Sequence, residues 1–225
     1  MNAKQKTRII LDQLAEMFPD AHCELVHQNP FELTIAVLLS AQCTDETVNK
    51  VTATLFQKYK RPEDYLAVPL DELEQDIRRI GLFRSKASNI QKLCRILIDK
   101  YDGEVPNTYE GLIELPGVGR KTANVVMSIA FGVPAIAVDT HVDRVSKRLA
   151  LAKPDDTVLQ VEQKLMKLVP REEWTMTHHR LIFFGRYHCK AQNPQCPLCP
   201  LLELCKEGKQ RMKNPVKPKQ RGKLA

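Results

Sequence analysis

Apolar residues recur every three or four positions along almost the whole chain, the spacing of one helix face. Ile9, Ile10, Leu14 and Met17 make a first stripe that stops before Pro19. Asn29-Pro30-Phe31-Glu32 opens the next helix with an Asn cap, a proline in the first turn and a glutamate three residues after the cap. That helix runs through Leu39, is apolar on nearly every side, and so is expected to be central. Further helices are predicted over 45–59, 70–80 (stopped by Gly81), 85–101, 108–114, 120–131, 140–151, 158–168 and 177–188. No period-two segment interrupts them, so the predicted fold class is all-α.

Composition adds bounds. The 225 residues, 43% hydrophobic and 27% charged, suffice for one large domain or two small ones. The apolar runs 33–39 and 125–138 fall short of the ~20 residues that cross a bilayer. The polar start Met1-Asn2-Ala3-Lys4 shows no signal peptide, which points to the cytoplasm, where disulfides are not expected. The net charge of +7 invites a nucleic-acid reading. However, residues 206–225 hold eight Lys or Arg and one acid, the entire excess. With Pro215 and Pro218, this tail is expected to be disordered, and either binds phosphate nonspecifically or only aids solubility. Charge therefore does not make the body a DNA binder.

Four of the seven cysteines, Cys189, Cys196, Cys199 and Cys205, crowd one loop, with six, two and five residues between them. Two readings are weighed, zinc and an iron–sulfur cluster. Four-cysteine zinc sites usually come as two Cys-x-x-Cys pairs, whereas here one pair and two single thiols share a loop, a spacing that favours the cluster. Cys23, Cys43 and Cys94 sit in or beside apolar segments and read as plain core thiols. His178, His179 and His188 read as packing or surface residues rather than a metal group, because adjacent histidines point to different helix faces.

Leu115-Pro116-Gly117-Val118-Gly119 separates two predicted helices. Two glycines allow a tight turn with positive φ, Val118 can pin the turn to the core, and bare N–H groups at the next helix N-terminus suit a phosphate. An ordinary helix connection would look the same. Lys121 stands in the first turn of that helix, beside Arg120. A cation there opposes the helix dipole, which favours the neutral amine, a nucleophile able to form a Schiff base. The seven residues 132–138 are long enough to return the chain, so Asp139 can come near Lys121. Asp139 also precedes a helix start and is a candidate N-cap.

The hairpin from Leu115 to Asn124, Val138-Asp139-Thr140-His141, the four-cysteine loop, Ser40 to Asp45, Gly81 to Ala87 and His179 to Cys189 together resemble the endonuclease III family of DNA glycosylase/AP lyases. The resemblance spans nearly the whole chain up to Cys205. It implies the helix-hairpin-helix DNA glycosylase fold: a six-helix bundle domain over 23–133, an iron–sulfur domain of 1–22 with 134–205, and an active-site cleft between them. It implies a 4Fe-4S cluster on the four cysteines. The implied partner is double-stranded DNA containing damaged pyrimidines or abasic sites, bound by a monomer with no membrane involved and associated with the nucleoid. By the same resemblance Lys121 is the Schiff-base nucleophile and Asp139 its supporting carboxylate. Leu82 is the wedge in the opened stack, Gln42 fills the gap beside the orphaned base, and Gly117, Val118, Gly119 and His141 lie at DNA. Damaged bases must be flipped out because the sugar carbon is otherwise out of reach. Adenine-excising relatives lack a lysine at the position of Lys121. The loop between Cys189 and Cys196 departs from relatives in carrying one basic residue, Lys190, for which Arg186 and the tail are expected to compensate. Two alternatives stand beside this reading: a noncatalytic iron–sulfur DNA-binding or redox protein, and a monofunctional glycosylase.

Overall fold

The computed structural model describes residues 1–213. They are all-helical, with no strand among the described residues. No helix there is long and apolar enough to cross a membrane. The chain divides into two compact units, Cys23–Ala137 and a second formed by Met1–His22 with the residues from Val138 onward.

Among the described residues, the Cys23–Ala137 unit contains seven helices: α2 (Pro30–Ser40), α3 (Asp45–Lys58), α4 (Pro62–Ala67), α5 (Leu70–Asp76), α6 (Phe83–Tyr101), α7 (Tyr109–Glu114) and α8 (Arg120–Ala130). Helix α2 is the centre of its core, and every residue from Phe31 to Leu39 is buried. Asn29 caps it by accepting from Glu32 N–H at 2.8 Å, and Glu32 accepts from Gln28 N–H at 2.7 Å. Helix α4 was not expected, so this unit has one helix more than the predicted six. Pro62 opens α4, the Asp64 carboxylate accepts the Lys60 and Arg61 N–H groups, and the helix's own Tyr65 is fully buried. Helix α5 ends at Asp76 rather than 80, because residues 77–80 close three-residue turns such as Ile80 N–H to Ile77 O at 2.8 Å.

The second unit joins α1 (Ala3–Met17) to α9 (Thr140–Arg148), α10 (Val158–Leu168), α11 (Trp174–Phe183) and α12 (Lys206–Lys213). Its core gathers Ile10, Leu14, Val142, Val145, Val161, Leu165, Leu181 and Phe184. After α11 the chain passes through a π-helical turn, Phe184–His188, before Cys189. Helix α12 corrects the expectation of a disordered tail over its first eight residues. Glu207 pairs with Arg148 at 3.0 Å and with Arg211 at 2.7 Å, and Gly208 is buried. The rest of the tail, 214–225, lies outside the described residues.

Candidate functional site

The hairpin joins α7 to α8 through Leu115-Pro116-Gly117-Val118-Gly119. Val118 is 5% exposed and its N–H donates to Leu115 O at 3.0 Å, so it pins the turn. Gly117 adopts φ +82°, and a Cβ there would meet Leu38 Cδ1 at 2.9 Å and Asn89 Nδ2 at 3.2 Å. The positive φ therefore calls for glycine, and a side chain would also displace the ends of Leu38 and Asn89. Gly119 differs from expectation: its φ is −95°, an ordinary value, and nothing lies within 4 Å of a Cβ built on it. Its lack of a side chain leaves the approach to the α8 N-terminus open rather than enabling the turn. No side chain caps that terminus, and Arg120 reaches back over the Tyr109 ring. Lys121 lies in this first turn and is exposed.

Gln42 and Leu82 share an unusual feature. Both are non-glycine residues at positive φ, +55° and +59°. Such a conformation costs roughly 1 kcal/mol per residue, and Asp102, Ala150 and Asn193 share it elsewhere among the described residues. Gln42 is exposed, and Leu82 is 61% exposed, at the start of α6. Their loops adjoin, since a Cβ on Gly81 would meet Gln42 O at 3.5 Å. Helix α6 starts two residues earlier than predicted because Leu82, in the left-handed conformation, forms its N-terminal boundary. Lys86, which sequence reasoning did not single out, is buried at the base of these loops and donates to Leu39 O and Ala41 O.

In the second unit Asp139 is the N-cap of α9, its Oδ1 accepting from His141 N–H at 2.9 Å and Val142 N–H at 2.8 Å. His141 is half-buried, and burial lowers its pKa ahead of the raising effect of Asp139. Arg144 lies 3.2 Å from His141 Nδ1 and donates to Gly185 O at 2.9 Å and Cys189 O at 3.4 Å. Gly185 was also missed. A Cβ there would meet His141 Cβ at 2.9 Å, so the π-helical turn can seat against α9 only without a side chain. Sequence reasoning could have found it only as a glycine inside a predicted helix.

Cys189, Cys196, Cys199 and Cys205 line one small cavity with Leu149, Phe184 and His188. Arg148 organises its rim, donating to Cys189 Sγ at 3.4 Å, Lys190 O at 2.8 Å and Ala191 O at 3.2 Å. Gly208 N–H donates to Cys205 Sγ at 3.2 Å. Burial pushes the Cys199 thiol up to about 11 and raises Cys196 as well. Among the described residues no three His, Cys, Asp or Glu side chains converge as ligands of a single metal ion. His178 and His179 are buried with ring centroids 5.0 Å apart, and His188 stacks on Phe184, so all three are packing residues. Cys94 is fully buried, and Cys23 and Cys43 are half-buried.

A fold of helices with a Gly-x-Gly hairpin and a thiol-lined loop defines a class. Residues 35–171 match the family described as HhH-GPD superfamily base excision DNA repair protein. Endonuclease III of Bacillus subtilis (strain 168) is 67% identical over 213 residues, covering 95% of this chain and 97% of that protein. A solved structure of a trapped endonuclease III–DNA covalent intermediate, an estranged-adenine complex, is 72% identical with a TM-score of 0.92, covering 94% of this chain and 100% of that one. A non-covalent endonuclease III–DNA complex gives 72% identity and a TM-score of 0.93, with 95% and 100% covered. The chain belongs to the endonuclease III family of the HhH-GPD superfamily.

Proposed function

We propose that this chain is a bifunctional DNA glycosylase and AP lyase that excises oxidised pyrimidines from duplex DNA, with Lys121 as nucleophile. The observation that carries this reading is Lys121 itself, an exposed amine on an uncapped helix N-terminus behind a glycine turn. The trapped covalent intermediate of a 72% identical relative supports it. Gly117, Val118 and Gly119 bring backbone N–H groups to a DNA phosphate, as a helix N-terminus favours. Leu82 and Gln42 enter the opened stack, an apolar wedge offsetting lost stacking. Lys121 Nζ then attacks C1′ of the flipped nucleotide, forming the C1′–N bond as the bond to the base breaks and the base leaves with a proton. Asp139, an N-cap carboxylate, stabilises the positive charge that develops on the sugar and assists proton transfer. The C1′–O4′ bond then breaks, O4′ taking a proton as the ring opens to the Schiff base, which acidifies the C2′ hydrogens, and loss of one expels the 3′ phosphate by β-elimination. His141 supports Asp139 from the next position but one.

Cys189, Cys196, Cys199 and Cys205 fit a 4Fe-4S cluster. The four thiols surround a volume rather than a point, and Arg148 and Gly208 already direct N–H groups at two of the sulfurs. When bound, the cluster supplies a cross-link for the loop and a one-electron couple. Purified protein is expected to be brown and to contain iron and sulfide in equal amounts, and Cys199→Ser is expected to lose both. Colourless protein containing zinc would overturn the assignment. The cytoplasm, at the nucleoid, is the proposed place of action.

The functional test is borohydride trapping on duplex DNA containing an oxidised pyrimidine. Wild-type protein should form a covalent adduct, and Lys121→Gln should form none. Base release by wild type without an adduct would establish a monofunctional glycosylase, and binding without base release a noncatalytic DNA-binding protein.

A further inference from the structure

One buried side chain joins the loops that carry Gln42 and Leu82. Lys86 lies in the first turn of α6 and is 5% exposed. Its Nζ donates to Leu39 O at 3.0 Å and to Ala41 O at 2.6 Å. Its backbone N–H donates to Leu82 O at 3.1 Å.

The two carbonyl bonds act differently. Leu39 O belongs to the last turn of α2, where carbonyls lack helical partners. That turn contains no basic residue, so Lys86 brings the complementary charge from another helix. Ala41 O belongs to the central peptide of the turn Ser40-Ala41-Gln42-Cys43. Cys43 N–H closes this turn on Ser40 O at 3.0 Å. Ala41 has φ −58° and ψ 118°, and Gln42 has φ +55°, which makes a type II turn. Type II turns want glycine at the position Gln42 occupies, whereas type I turns accept any side chain there. The two differ by a flip of the central peptide. Such a flip would carry Ala41 O to the other face of the turn, away from Lys86 Nζ, and would return Gln42 to negative φ.

We propose that Lys86 is a positioning residue for strand opening, holding the Ala41–Gln42 peptide in its type II orientation so that Gln42 is aimed before DNA arrives. This rests on the reading of Gln42 and Leu82 as the residues that enter the stack. Lys86 also stands one turn from Leu82, the N-cap of its own helix, so its side chain ties the Ala41–Gln42 turn to the helix that begins at the wedge. Setting them in advance removes an ordering cost from binding. The benefit is largest when the damaged base has a partner that must be left behind.

The test uses the complete protein with its cluster and two duplexes. One has an oxidised pyrimidine opposite a normal base, and the other has the same lesion opposite an abasic-site analogue, where no base is orphaned. Both are assayed for single-turnover excision on one preparation, so any loss of folded fraction cancels from the ratio of rates. Lys86→Met keeps the length and removes the charge and donors; Lys86→Gln replaces it if the methionine variant does not accumulate. The paired-lesion rate should fall about tenfold and the ratio of paired to unpaired rates about fivefold. Lys86→Arg, which retains charge and donors, should recover most of the ratio. An unchanged ratio in Lys86→Met, with a lowered ratio in Leu82→Ala, overturns the positioning role and leaves the insertion reading standing. An unchanged ratio in Leu82→Ala, Gln42→Ala and Lys86→Met together overturns both.

Discussion

The hairpin unit and the cysteine loop are held together by different physics. In Cys23–Ala137 a continuous apolar cluster runs from Leu25 to Ala137, with α2 at its centre. Between Cys189 and Cys205 only Leu201 is buried. That stretch is shaped by short 3₁₀ turns, by Arg148 and Arg144 donating to its carbonyls, and by four thiols around a cavity. The first region carries the proposed nucleophile on a scaffold that hydrophobic burial makes rigid. The second has too little apolar surface to hold its own shape, so a bound cluster has structural work to do there whether or not it exchanges electrons.

The sharpest way to separate the two is to weaken one and monitor the other. Leu39 is fully buried in α2 and touches the heart of the apolar cluster. Leu39→Ala should cost about 2–5 kcal/mol, through lost transfer energy and the cavity left behind. Urea unfolding should show the loss, while the iron content of the folded protein stays at the wild-type level. Loss of iron in that variant would mean that the two regions stand or fall together.

Acid offers a second, smaller separation. His179 lies in the same unit as the cysteine loop, and burial, reinforced by the charge of His22, lowers its pKa to about 4 from 6.5. The unfolded chain then binds more protons than the folded one between these values. Stability from His179 is complete above pH 6.5 and is lost as pH falls through about 4, a loss of up to about 3 kcal/mol. His179→Gln should flatten the fall in stability between pH 6.5 and 4. An equally steep fall in the variant would place the acid sensitivity elsewhere. The Cys23–Ala137 unit holds a single histidine, His27, half-buried at its edge.

These features differ in how far the sequence discloses them. Helix α10 and the caps at Asn29 and Asp139 follow from local patterns, because periodicity and capping involve residues within a few positions of each other. The pinning of Val118 is equally local. Helix α4 was missed because six residues hold less than two helical turns of pattern, although Pro62 followed by Glu63 and Asp64 was a start signal. The need for glycine at 185 depends on α9, 41 residues away in the case of the Arg144 contact, and Lys86 acts on carbonyls 45 and 47 residues away. No periodicity encodes such contacts. The positive φ at Gln42 and Leu82 was equally hidden, since neither residue type announces a left-handed conformation.

The basic tail provides the smallest and most selective test. Removing everything from Lys206 would confuse charge with structure, because α12 holds Glu207 against Arg148 and Gly208 against Cys205. Truncation after Lys213 avoids this and deletes Lys217, Lys219, Arg221 and Lys223. If these residues contact phosphates, the dependence of log affinity on log salt should become shallower by up to about 3.6, at 0.9 for each neutralised phosphate. Thermal stability, iron content and the single-turnover rate at saturating DNA should not change, because the truncated chain keeps α12 with its Glu207–Arg148 and Gly208–Cys205 contacts. A salt slope equal to that of the full chain would assign all phosphate contacts to residues 1–213, whose net charge is only +3 (30 basic and 27 acidic residues). The hairpin amides and individual lysines such as Lys121 would then have to supply the grip that net charge does not.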